Sequence, residues 1–258
     1  MILDFFYIMM ECIDSMSVGA FWGTVLLALL LGALCWAACS YYTLLWNKRF
    51  RVKSQHHLLC AIAAILTVVF TVQYRAVGNL EYIVDGIIDN WYEYLTNDRN
   101  FHEETYELAF YTLEGECPDA FRGVPEPDKS GSYIPFANED MIQACVAIYV
   151  EEACSNFSTQ HPFLNWMLKA RPGISQDEIE YDIQEYFLKN PGSSYPLGRA
   201  IDISAEHIRV SLLEQSPRTV WKTRIILMFL FLVVQLIPFG SIGYFAYEDW
   251  KTGRPDYT

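Results

Sequence analysis

The sequence predicts a mainly α membrane protein. It has three transmembrane helices, an N-terminal helical hairpin plus one C-terminal span, with a mostly helical soluble domain inserted between spans two and three. Three observations carry this. Two runs without a formal charge, Ser15–Asn47 and Ser54–Tyr74, flank a basic turn. A third such run, Ile225–Tyr247, lies towards the C-terminus. Between the second and third runs the composition turns strongly acidic. A helix rises about 1.5 Å per residue, so roughly 20 apolar residues cross the hydrocarbon core. Backbone groups in lipid must be satisfied internally, and no barrel pattern is present, so all three runs are read as helices.

Residues 1–17 are apolar with sparse acids (Asp4, Glu11, Asp14) and are expected to lie in the interface as a short helix. Span one, 18–46, is long enough to tilt. Its small residues recur at four-residue steps, Gly19 and Gly23, then Ala28 and Gly32. Small residues at this spacing let helix backbones approach closely, and the four form a candidate helix-packing face. Packing within the chain's own three helices and oligomerisation would both use it.

The turn, 47–56, carries Lys48, Arg49, Arg51 and Lys53 and no acid. Short basic loops stay in the cytoplasm. The N-terminus and the segment 76–221 are therefore expected outside, with the tail 248–258 cytoplasmic. Arg218, Lys222 and Arg224 argue the other way, but the compact first hairpin weighs more, because long domains translocate largely regardless of charge. Span two is 57–75 and span three 225–247. Pro238 should kink span three, and Gln235 suits an interhelical hydrogen bond. A cleaved signal peptide is rejected, since the n-region is acidic and the apolar run too long. The expected location is a plasma membrane, in the first place a bacterial inner membrane.

The inserted segment, about 145 residues, suffices for one domain with its own core. Between Ala76 and Pro217 stand 25 Asp/Glu against 8 Lys/Arg, so this segment is more negative than the whole chain at −13. That argues against nucleic acid or anionic lipid as its partner and suits a basic protein or cations. A solubilising acidic surface is the simpler meaning. Leu80, Ile83, Val84, Ile87, Ile88, Trp91 and Leu95 recur at helical spacing, with Glu81, Asp85, Asp89 and Glu93 opposite as a solvated face. A second helix is read over Phe101–Glu114, then a Pro/Gly-rich loop over Cys117–Tyr133. Asn138 opens a helix to about Cys154, Pro162 another to Arg171, and Ser175 a capping box for a helix to Lys189. Asn190–Gly198 reads as a loop. Arg199–Gln215 mixes strand and helix periods and is read as helix.

Seven cysteines divide by region. An exported domain permits disulfides. Cys145 and Cys154 lie on one helix, roughly 13 Å apart along its axis and too far to bridge. The candidate disulfide is thus Cys117 with Cys145 or Cys154, and the remaining thiol stays free or reaches Cys12. Spacing does not choose between these.

Other candidates are weaker. His102-Glu103-Glu104-Thr105-Tyr106 begins like a zinc-protease motif but has Tyr106 where a second histidine is needed, so it reads as a surface helix start. Cys39, His56, His57 and Cys60 could share a depth, yet their spacing fits no ligand pattern, and the histidines suit the headgroup level. Glu178, Glu180, Asp182 and Glu185 read as solvated carboxylates without a calcium-loop pattern. Asn156-Phe157-Ser158 is a glycosylation sequon, meaningful in a eukaryotic secretory setting. Nucleotide-binding, kinase and hydrolase motifs are absent. No span carries a mid-depth charge of the kind ion pathways use.

The expectation is a non-enzymatic binding or assembly subunit of a membrane complex, an accessory or immunity-type role included. It has no catalytic residues, cofactor or metal. Its partners are the lipid bilayer and one or more proteins, suited by a basic surface, in a homo- or hetero-oligomer. Abundant Tyr and Trp, among them Trp91, Tyr92, Trp166, Tyr181 and Tyr186, suit such an interface. The alternative is a channel or transporter component whose pore forms by oligomerisation. A membrane enzyme ranks third.

Overall fold

The computed structural model describes residues 2–48, 50–116, 118–119, 122, 139–168, 176–189 and 197–252. Among the described residues the protein is almost entirely helical, with no strand. The helices are α1 (Ile2–Asp14), α2 (Val18–Tyr41), α3 (Ser54–Ala76), α4 (Leu80–Asn97), α5 (Arg99–Glu116), α6 (Glu139–Gln160), α7 (Pro162–Leu168), α8 (Gln176–Lys189) and α9 (Leu197–Thr252). Short 3-10 turns follow α2 at Tyr42–Leu45 and α3 at Val77–Asn79. Three stretches are long and apolar enough to cross a membrane: Val18–Leu45, His56–Asn97 and Arg199–Thr252. The chain divides into two compact units, Phe6–Glu81 with Arg218–Thr258, and Met1–Phe5 with Tyr82–Pro217.

The first of these is the apolar unit, built on the pairing of α2 with α3. Ser17 starts α2, its Oγ accepting from the Ala20 N–H at 3.3 Å. Leu26, Leu29, Leu30 and Leu34 on α2 and Phe229, Leu232 and Leu236 on α9 stay exposed. Exposed apolar side chains in such number match a lipid surround rather than water. The buried face is made of small and neutral polar groups. Gly32 sits so close to α3 that a Cβ there would meet Val68 Cγ2 at 2.8 Å and the Ala64 carbonyl oxygen at 3.1 Å.

Hydrogen bonds from neutral side chains join α9 to this pair and to the turn between them. Gln235 Nε2 donates to the Ala63 carbonyl and to Thr67 Oγ1, both at 3.0 Å. Tyr42 Oη donates to the Phe239 carbonyl. Gly243 makes room for that ring, since a Cβ there would stand 2.8 Å from the hydroxyl. At the turn, buried Asn47 donates to the Ala246 carbonyl at 3.0 Å and to Asp249 at 3.2 Å. Its own Oδ1 accepts from the Phe50 N–H at 3.2 Å. The basic turn is thereby tied to the C-terminal part of α9.

In the acidic unit, the apolar stripe of α4 turns inward: Val84, Ile88, Trp91 and Leu95 are buried. Trp91 packs edge-on against Phe157 of α6, and its Nε1 donates to Asn156 Oδ1 at 3.0 Å. Tyr106, Phe110, Tyr149, Ile183 and Leu212 extend the core through α5, α6, α8 and α9. The beginning of α1 belongs here: Asp4 Oδ2 accepts from the Phe163 N–H at 2.9 Å, and Phe5 packs edge-on against Phe163.

Several expectations change. The helix read over Arg199–Gln215 does not end before the apolar run but continues as one helix through Pro217 and Pro238 to Thr252. A proline removes one donor and crowds one carbonyl, while every other turn keeps its bonds. Helix α6 runs past Cys154 to Gln160. The sequon residue Asn156 sits inside that helix with its Oδ1 engaged by Trp91 and by Gln160 Nε2 at 3.1 Å. Glu180, read as solvated, is buried and accepts from Gln184 at 3.1 Å. The Cys117–Tyr133 loop (bar residues 118–119 and 122), the caps Asn138 and Ser175, residues 190–196 and the tail beyond residue 252 lie outside the described residues.

Candidate functional site

The four small residues of α2 separate. At 100° per residue, Ala28 and Gly32 lie about 180° from Gly19 and Gly23. Ala28 and Gly32 are buried within the apolar unit, whereas Gly19 and Gly23 are exposed with open space around them.

For the candidate disulfide, Cys117 and the Cys145 side chain lie outside the described residues; Cys154 is buried. Cys12 is a free, buried thiol whose pKa is pushed up to about 12, by burial first and then by Glu11. Cys39 and Cys60 are free and buried, with the Ser40 hydroxyl 3.4 Å from Cys60 Sγ. His56 stacks between Phe50 and Phe245, and His57 on Trp36. Among the described residues no three His, Cys, Asp or Glu side chains converge to hold a metal ion.

The acidic unit contains a polar cleft of about 520 Å³ bordered by α4, α8 and α9. Tyr92 comes from α4, and Asp182, Glu185 and Tyr186 from α8. Asp202, Glu206 and His207 come from α9, where the 3.6-residue period sets them on neighbouring rows. His207 Nε2 lies 2.8 Å from Asp182 Oδ2 and joins α9 to α8. Arg209 joins α9 to α4, its Nε donating to Asp89 at 2.7 Å and its guanidinium lying over the Tyr92 ring, while Nη1 donates to Glu206 within α9 at 2.9 Å. Arg199 stacks over Tyr186, and Lys189 pairs with Glu185 at 2.7 Å.

Burial, then the charge and hydrogen bond of Glu206, push the Tyr92 pKa up. Burial also raises the Asp202 carboxyl, against the pull of His102 and Arg199. His102, read as part of a surface helix start, instead turns inward, its Nε2 3.7 Å from Asp202 Oδ1. Chemically the cleft holds four carboxylates against the lining cations Lys189 and Arg199, a net negative surface whose tyrosine rings carry the chain's own Arg199 and Arg209. Sequence reasoning found α8's carboxylates and Tyr186 but not their meeting with Tyr92, Asp202 and His207. Asp182 and His207 are separated by 25 positions, and no local pattern links them.

In comparisons with known proteins, no family model, no curated protein and no solved structure matches the chain.

Proposed function

We propose that the protein is a non-enzymatic subunit of a membrane complex, anchored by three spans and docking a basic protein segment through its acidic domain. The cleft is the observation that carries this: Asp182, Glu185, Asp202 and Glu206 gather around Tyr92 and Tyr186. These four carboxylates outnumber the lining cations Lys189 and Arg199, so a lysine- or arginine-bearing segment would meet net negative charge there and compete with the chain's own cations for it. The basic turn lies in the cytoplasm and the acidic domain outside, on the strength of the four Lys/Arg in the short hairpin turn. The membrane is a bacterial inner membrane on this reading.

The test is isolation of the full chain from its native membrane at low and high salt. A stoichiometric partner should be retained at low salt and released at high salt. It should also be lost from the variant Asp182→Asn/Glu185→Gln/Glu206→Gln. A complex that withstands both the salt and the variant would refute docking through this cleft.

The exposed Gly19 and Gly23, with nothing within 4 Å, favour a second reading in which copies of the chain associate through α2 to form a pore. Joint loss of oligomers and ion flux in Gly23→Leu would support it; an unchanged oligomeric state would remove it.

A further inference from the structure

Among α2, α3 and α9 the apolar unit leaves an open groove of about 280 Å³, lined by Leu27, Leu31, Phe70, Tyr74, Arg75 and Phe231, among others. The groove is apolar along its length and cationic at one end. Arg75 borders it directly. Arg224 stacks over the Tyr74 ring, 5.3 Å from its centroid. The Arg224 Nε is buried and without a hydrogen-bond partner. Among the described residues neither arginine has a carboxylate partner. A buried guanidinium nitrogen lacking an acceptor is costly unless an anion completes it.

We propose that this groove holds one anionic phospholipid, its acyl chain on Leu27, Leu31, Phe70 and Phe231 and its phosphate on Arg75 and Arg224. The proposal rests on the reading of the apolar helices as membrane spans, because the bilayer is what supplies the occupant. Dimensions agree with it. Phe70 lies five residues from Arg75 and Phe231 seven from Arg224, so the apolar wall reaches roughly 7–10 Å below the arginines along the helix axes. That accommodates the upper part of an acyl chain, the remainder continuing into the bilayer. Phosphate is the headgroup chemistry that guanidinium pairs with best, through two parallel N–H···O bonds. Tyr74 beneath Arg224 supplies the amphipathic ring common at headgroup level. The site also gives Arg224 a role that the charge rule for orientation leaves unexplained.

The experiment uses the full chain in nanodiscs of phosphatidylcholine alone or mixed with phosphatidylglycerol. Retained lipid is counted by native mass spectrometry, and thermal midpoints are measured alongside. One phosphatidylglycerol should be retained in preference to phosphatidylcholine and should raise the midpoint. Arg75→Gln and Arg224→Gln should each weaken that preference by roughly fivefold. Arg224→Lys, which keeps the charge but loses the two-bond fork, should fall between the wild type and Arg224→Gln, and Leu31→Trp should fill the groove and lose both lipids. Helical circular dichroism identifies any variant that misfolds, and for those the wild-type lipid preference decides. Equal retention of the two lipids overturns the proposal, as does a double arginine variant that prefers phosphatidylglycerol like the wild type. A midpoint rise with inorganic phosphate equal to that with phosphatidylglycerol replaces the lipid with a free anion. Carbonate extraction separates the two readings. Release of the chain into the soluble fraction defeats the membrane reading, whereas a membrane-bound chain without lipid preference defeats the lipid site alone.

Discussion

The two units hold their polar groups by different means. In the apolar unit the links to α9 are mostly neutral, Gln235 to the Ala63 carbonyl, Asn47 to the Ala246 carbonyl and Tyr42 to the Phe239 carbonyl, and charge enters towards the ends of the apolar run, at Asp249 and Arg224. In the acidic unit charged links stand beside the neutral Trp91–Asn156 bond: Arg209 to Asp89 joins α9 to α4, and His207 to Asp182 joins α9 to α8. Burying an ion away from water costs more than its partner returns, so amides and hydroxyls are the affordable glue between apolar helices. Where water reaches, ion pairs cost little and stabilise little, about 0–1 kcal/mol each, and the apolar core must carry the fold. The contrast teaches that removing one charged link from the acidic unit should cost little stability, so substitutions of its charges can test docking without unfolding it.

The largest effect should come from the acidic unit's core. Trp91→Ala removes a buried ring, its hydrogen bond to Asn156 and its contact with Phe157, and should destabilise that unit by about 3–5 kcal/mol. Chemical denaturation followed by protease sensitivity of residues 82–217 would measure it; a loss below one kcal/mol would break the comparison. Next comes Gly32→Leu, which drives a side chain into Val68 and the Ala64 carbonyl and should cost about 1–3 kcal/mol. Gly23→Leu, with open space around it, should leave the monomer's thermal midpoint unchanged, so equal shifts would refute the difference between the two faces of α2. Gln235→Leu should cost about 1 kcal/mol, independent of salt. Arg209→Gln should cost less than that, and its effect should fade as salt rises. The opposite salt pattern would erase the distinction between the units.

The smallest effect is in pH. Burial lowers the His161 pKa, with Asp4 opposing. The folded acidic unit therefore favours the neutral ring. Its contribution to stability is complete above the ordinary value of 6.5 and is lost as pH falls below it towards the lower folded value. His161→Asn should flatten the decline in thermal midpoint just below pH 6.5; an unchanged slope would show that this ring does not drive it.

Much of the fold is legible in the sequence because lipid leaves few choices. Twenty or so uncharged residues in a row admit one backbone solution, and the three runs are helices. The stripe of Val84, Ile88, Trp91 and Leu95 is equally plain, since burial on one face imprints the helical period. Local signals failed where distant parts decide. Pro217 marks a break by propensity, yet α9 continues through it. Glu180 stands in an acidic run that reads as solvent-facing, yet packing buries it. The cleft depends on pairings such as Arg209 with Asp89, 120 positions apart, and composition conveys its charge but not its place.

The proposal that three spans hold an acidic binding unit outside is tested most directly by sidedness. Lys48→Cys in the basic turn and Thr159→Cys on α6 place thiols at exposed positions. Each is introduced singly, and intact cells are treated with a membrane-impermeant maleimide. Labelling of Thr159→Cys in intact cells, with Lys48→Cys labelled after the membrane is breached, is the predicted result. The reverse pattern would place the acidic unit in the cytoplasm and contradict the account.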